Sequence, residues 1–169
     1  MESEILFSER QRFKQWWIWL LILCINGLFL FGVFKQIING QPFGDKPMSN
    51  SGLLFATSIT LLCSLLFLSI RLDSQIRSDG VYVRYFPFRL KLKKYTWSEI
   101  SQCYVRQYSP IAEYGGWGYR IGLFGKGRAL NVSGNKGLQL EFTNGKKLLI
   151  GTSKPDELAE VLLKIKQIQ

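Results

Sequence analysis

The sequence predicts a two-part fold, a membrane-embedded helical hairpin followed by a mainly-β sandwich or barrel of about seven antiparallel strands with a C-terminal helix. Three features carry that expectation. Nearly uninterrupted apolar sequence is confined to residues 16 to 70, residues beyond 70 alternate with a period of two between turn signals, and the net charge of +10 gathers in that second stretch. Residues 71 to 169 hold 17 Lys and Arg against 8 Asp and Glu, and their number suffices for one modest core.

Trp16 to Phe34 is a run of 19 uncharged residues, about 28 Å long as a helix, which matches a bilayer's hydrocarbon core. Leu53 to Ile70 is a second uncharged run of 18, whose Thr and Ser hydroxyls can bond back to their own helix. A cleaved secretory signal is the competing reading of the first run, because Arg10, Arg12 and Lys14 precede it. The run is longer than the apolar core of such signals, no Ala-x-Ala site follows, and a second span comes soon after. Trp16, Trp17 and Trp19 crowd its start, where indoles favour the headgroup level.

Three cations precede the first span, Lys35 and Lys46 lie between the spans, and seven lie from Arg71 to Lys94. The positive-inside rule then places both termini in the cytosol of a multi-pass protein of the cytoplasmic (inner) membrane. The expected organisation is a cytosolic segment 1–15, spans 16–34 and 53–70, an outside loop 35–52, and a cytosolic domain 71–169.

The two spans are expected to pack on each other. Gly52, Ala56, Thr60 and Ser64 recur every four residues and permit close backbone approach, though small residues are also simply common in such helices. Asn26, the one strongly polar side chain of the first span, is positioned to hydrogen-bond across to a hydroxyl.

In the domain, Leu72–Arg77 and Val81–Phe88 flank Ser78-Asp79-Gly80 as a hairpin, followed by strands Leu90–Trp97 and Ile100–Tyr108. Weaker strands are read at Gly118–Phe124 and Arg128–Val132. Gly137–Thr143 and Lys146–Thr152 enclose Asn144-Gly145, a strong hairpin signal. Ser153 through Glu157 opens an amphipathic helix with Leu158, Val161, Leu162 and Ile165 on its apolar stripe.

Asp79-Gly80-Val81-Tyr82, Phe86-Pro87-Phe88, Tyr95-Thr96-Trp97-Ser98-Glu99-Ile100 and Asn144-Gly145-Lys146 before a terminal helix resemble membrane-tethered bacterial proteins with a pleckstrin-homology-like (PH-like) domain. Glu9-x-Gln11-x-Phe13 ahead of the hairpin extends the resemblance over most of the chain. It implies a bent sandwich of seven strands capped by a helix, an uncharacterised subgroup, and no catalytic residues.

Histidine is absent and only Cys24, Cys63 and Cys103 could supply thiols. That removes the usual zinc sites and His-based nucleophile pairs, so neither an enzyme, a metal nor a cofactor is expected. The three cysteines are read as small buried hydrophobes. A basic domain favours anionic partners; with an anchor in the same chain the nearest is phospholipid, and nucleic acid is not expected.

Two segments are candidate sites. Arg89, Lys91, Lys93 and Lys94 form a basic ribbon for anionic lipid, or alternatively a solvated strand face with edge-protecting lysines. Tyr114, Trp117, Tyr119 and Arg120 stand in a glycine-rich run, either presented to a partner or with the glycines taking positive φ and Trp117 folded inward. The leading expectation is a membrane-anchored, non-enzymatic binding or scaffold module that recognises anionic lipid, a peptide or a membrane protein. The alternative is an accessory subunit of a membrane complex, or a small transport component, that assembles with itself or with others and has the helical hairpin as its working part.

Overall fold

The computed structural model describes residues 3–122 and 125–168. They fall into two units: Lys14–Ser69 forms one, and the segment ending at Phe13 joins the chain from Ile70 onward in the other.

The helical unit consists of α1 (Trp16–Val33), a π-helical turn Phe34–Ile38, and α2 (Asn50–Ser69). Both helices are long and apolar enough to cross a membrane. Most of their side chains are uncovered, including Leu23 at 68% and Leu62 at 66% exposure, and the free thiols Cys24 and Cys63 are exposed as well, where burial was expected. The helices touch along one strip. Asn26 Nδ2 donates to Ser64 Oγ at 2.7 Å and to the Ile22 carbonyl at 2.8 Å, and Trp19 meets Phe67 edge-on at 5.6 Å. Leu53 and Thr57 are buried, and Gly52, Ala56, Thr60 and Ser64 are half-buried, whereas Leu54, Ser58, Leu61 and Leu65 are exposed. Gly32 is covered by the Phe43 ring, which an added Cβ would meet at 2.9 Å.

The β unit has nine strands among its described residues, against about seven expected for the fold and eight segments read as strands; the addition to those eight is the N-terminal one. β1 (Ile5–Arg12), β2 (Arg71–Arg77), β3 (Gly80–Phe86) and β4 (Lys93–Thr96) form one sheet in that order. β5 (Ile100–Gln107), β6 (Gly118–Ile121), β7 (Arg128–Asn131), β8 (Lys136–Phe142) and β9 (Lys147–Gly151) form the second, ordered β5-β8-β9-β7-β6. A short helix α3 (Pro110–Tyr114) precedes β6, and α4 (Pro155–Ile168) ends the chain. A 3-10 turn at Trp97–Glu99 carries the chain between sheets. Its Thr96–Glu99 capping box satisfies the free amides.

Three expectations need correction, and a fourth is only partly described. The first 15 residues are not a separate segment: β1 pairs with β2 from Arg12↔Arg71 to Ile5↔Arg77, so the helical unit is inserted between two neighbouring strands. Leu90–Trp97 is not one strand. Pro87 has no amide to donate, Arg89 N turns back to the Tyr85 carbonyl at 2.9 Å, and pairing resumes only at Lys93. The second sheet is not wholly antiparallel, because the β6–β7 hairpin leaves after β5 and brings β7 alongside β9 in the same direction. Finally, β6 is observed to Ile121; Leu123 and Phe124, at the end of the expected strand, lie outside the described residues.

The core fills the space between the sheets. Phe7, Leu72, Ile76, Val81 and Val83 face Leu130, Leu138, Leu140 and Ile150, and α4 adds Leu158, Leu162 and Ile165. Each such side chain contributes about 1.5–3 kcal/mol by leaving water. β1 is held by polar contacts as well. Its inward Glu9 is 6% exposed and accepts from Thr152 Oγ1 at 2.7 Å, Ser153 N at 2.9 Å and Ser153 Oγ. Inward Gln11 donates to the Gly151 carbonyl at 2.6 Å. The N-terminal strand thereby fastens the turn that opens α4.

Candidate functional site

A charge ladder crosses the outer face of the first sheet. Asp73 sits between Arg10 and Arg84 in register, 2.7 Å from Arg10 Nε and 2.7 Å from an Arg84 nitrogen, with Arg71 Nε at 3.4 Å. Burial alone would raise the Asp73 carboxyl, but hydrogen bonds from Arg10 and Arg84 outweigh it and hold it below its ordinary range. Three guanidinium groups share one carboxylate, so this face retains positive charge.

The same register fixes what lies at one end of that sheet. Arg12 pairs with Arg71, and Arg71 pairs with Phe86, so the end of β1, the start of β2 and the end of β3 are level. The first two continue into the helical unit within a few residues, and the third continues into the 87–92 loop. There Phe88 is 69% and Leu90 70% exposed, with Arg89 and Lys91 exposed between and beside them. Large apolar side chains left in solvent beside cations form the pattern that amphipathic interfacial segments use.

The four basic candidates therefore separate. Arg89 and Lys91 belong to the exposed loop. Lys94 lies on the outer face, where its Nζ is 2.6 Å from Asp79. That hydrogen bond draws the Asp79 carboxyl down to about 2 and raises Lys94. Lys93 pairs with inward-facing Val83, so it turns toward the space between the sheets, with Nζ 4.6 Å from the Tyr95 ring centre.

The sandwich is open there. A cavity of about 270 Å³ is lined by Val83, Tyr85, Tyr95, Leu130 and Leu148, with Arg89, Lys93 and Arg128 among its walls. A second, of about 580 Å³, adjoins it through Lys93, Tyr95, Arg128 and Leu148 and reaches Asn144-Gly145. Burial pushes the Tyr85 hydroxyl up to about 12, against a smaller opposing pull from Arg120, so it stands in the first cavity as a neutral phenol. Gly127 shapes the wall of the second cavity: its φ is +81°, and a Cβ would lie 2.2 Å from the Lys147 carbonyl oxygen.

The glycine-rich candidates do not act as one displayed loop. Tyr114 ends α3 and is 2% exposed, packed edge-on to Tyr108 at 6.0 Å. Gly115, Gly116 and Gly118 take positive φ. Trp117 is half-buried, its Nε1 donating to the Gly134 carbonyl at 3.0 Å. Only Tyr119 and Arg120, on the edge strand β6, are exposed. Arg106 fastens α3 from below, bonding Glu113 at 2.8 Å and the Tyr114 hydroxyl at 3.2 Å.

Sequence reasoning noted Glu9 only within the Glu9-x-Gln11-x-Phe13 motif, without a strand or a buried role, because its inward neighbour Gln11 is also polar; it missed Arg128, which joins Lys93 only through the tertiary fold. Among the described residues no cluster of His, Cys, Asp and Glu could hold a metal ion. No protein-family model matches the chain, and no curated protein matches it.

Proposed function

We propose that the chain is a bilayer-anchored, non-enzymatic binding module of PH-like type: the two helices cross the cytoplasmic membrane, and the β unit engages anionic phospholipid through the 87–92 loop. The observation that carries this reading is the level alignment of Arg12, Arg71 and Phe86. It sets the exposed Phe88-Arg89-Leu90-Lys91 segment at the sheet end that runs into the helices. Cations near an anionic leaflet each contribute about 1 kcal/mol, and exposed Phe and Leu gain by entering the interface.

The composite β unit supports the topology. Because β1 precedes the helices and β2 follows them within one sheet, both flanks of the helical insertion must fold on the same side, as an even number of crossings requires. The PH-like assignment draws support from a four-stranded sheet, a β5-β8-β9 meander and a terminal helix. The excursion through α3, β6 and β7 is an addition to that plan.

The test uses the full chain in nanodiscs of phosphatidylcholine with and without phosphatidylglycerol. A spin label at residue 90 should become shielded from an aqueous relaxant in the anionic discs and be released by salt. A label equally exposed in both compositions at low salt would refute lipid engagement.

A further inference from the structure

We infer that the open corner between β4 and the β7–β9 pair is a binding site for a phosphate monoester bearing an apolar substituent. This goes beyond docking of the 87–92 loop, with which it shares Phe88 and Arg89, and it is tested at Lys93 and Arg128, which lie outside that loop.

The smaller cavity carries the argument. Its inner wall is apolar and buried: Val83, Leu130 and Leu148 are each at most 6% exposed and belong to the main core. Its other wall is cationic. Arg89, Lys93 and Arg128 all line it, with no Asp or Glu among the lining residues. No carboxylate among the described residues pairs with any of the three; Arg128 reaches only the Tyr119 hydroxyl, at 3.3 Å.

Several other cations of the β unit are neutralised. Lys94, Arg106, Lys147 and Lys154 each hold a carboxylate within 3.0 Å; Arg77, Arg120 and Lys136 hold none among the described residues, but what sets Arg89, Lys93 and Arg128 apart is that all three line one concavity. Ligand sites combine an apolar lining with a few convergent polar groups in this way.

Charge selects the ligand class. Three cations exceed what a monocarboxylate would neutralise, whereas a phosphate monoester carries close to two negative charges and suits the planar fork of arginine. The apolar wall adds a demand that inorganic phosphate does not meet. The ester's substituent would lie against Val83, Leu130 and Leu148 beside the Tyr95 ring. The wall that closes the corner comes from β7, part of the excursion absent from the seven-strand plan.

A phospholipid with a terminal phosphate and a soluble aryl phosphate share this chemistry, and two arms separate them. The full chain is placed in phosphatidylcholine nanodiscs, which offer the 87–92 loop no anionic surface. One arm titrates naphthyl phosphate, with naphthol and inorganic phosphate as partial ligands; the other measures retention of phosphatidic acid by native mass spectrometry. In at least one arm the phosphate ester should bind, about tenfold or more tighter than either partial ligand or than phosphatidylcholine. Lys93→Glu and Arg128→Glu should each weaken it about tenfold. Lys136→Glu, an exposed cation outside both cavities, makes the same charge change and should leave binding within about twofold.

Binding in the first arm alone assigns a soluble ester, and in the second alone a lipid, counted for this corner only where Arg128→Glu weakens it, since retention by the 87–92 loop would survive that change; retention unaffected by Arg128→Glu overturns the site. No binding in either arm, or equal loss in Lys136→Glu and Arg128→Glu, overturns it. Both reversed residues are exposed, and an unchanged circular dichroism spectrum verifies that the variants fold.

Discussion

Replacing Glu9 with alanine tests whether the N-terminal strand is part of the β unit. The carboxylate is almost fully buried and accepts three hydrogen bonds from the Thr152 and Ser153 side chains and the Ser153 amide. A bond to a charged acceptor is worth about 1.5–3 kcal/mol, and such contributions overlap when they share one group. Truncation also leaves the Thr152 hydroxyl, itself 4% exposed, without its acceptor. Glu9→Ala should therefore cost the β unit about 3–5 kcal/mol, and Glu9→Gln, which keeps an oxygen in place, about half as much. Ser8→Ala, on the same strand but facing outward, should cost under about 0.5 kcal/mol. The assay is denaturant unfolding of the full chain in mild detergent, followed by circular dichroism. Hydrogen exchange is read in parallel at β1 and at the start of α4. Glu9→Ala unfolding at the wild-type midpoint, with exchange at Ser153 unchanged, would refute the reasoning.

Other outcomes follow from the same geometry. Asn26→Leu removes the bond to Ser64 and should loosen the helix pair by about 0.5–2 kcal/mol, read as earlier separation of the helices in a detergent-unfolding series; an unchanged midpoint contradicts it. Asp79 has a folded pKa near 2, below the ordinary carboxylate range, so its contribution with Lys94 is complete above about pH 4 and fades as pH falls toward about 2. Carboxyl resonances should show that titration, and Lys94→Met should return it to the ordinary range; titration near 4 in both proteins contradicts the pairing. Gly127→Ala must place a Cβ in a left-handed backbone and against the Lys147 carbonyl, at a cost of about 2 kcal/mol or more. Amide exchange in β7 should then rise before that in β8, and uniform exchange would contradict it.

Much of this fold can be read from local signals. Uncharged apolar runs mark α1 and α2, Asp79-Gly80 and Asn144-Gly145 mark the two hairpin turns, and the 3.6-residue stripe from Leu158 to Ile165 marks α4. β1 escaped because two of its three buried positions, Glu9 and Gln11, are polar; a strand that faces inward through hydrogen bonds has no hydrophobic alternation to detect. The 87–92 loop misled for the opposite reason. Its Arg-Leu-Lys-Leu alternation mimics a strand, while pairing depends on a partner that β3 supplies only as far as Val83. The parallel β7–β9 contact joins residues about twenty apart in sequence, and no local propensity encodes it. The open corner was hidden likewise, since Lys93 and Arg128 meet only after both sheets have formed.

Crossing of the membrane by α1 and α2, with the β unit on the inner side, is tested most directly by cysteine accessibility in intact cells. Single cysteines are placed at residues 8, 48 and 144 of a variant lacking Cys24, Cys63 and Cys103, and exposed to an impermeant maleimide. Residue 48 should label from outside, and residues 8 and 144 only after permeabilisation. Equal labelling of all three before permeabilisation, or recovery of the protein from the aqueous fraction without detergent, would contradict a membrane-anchored module.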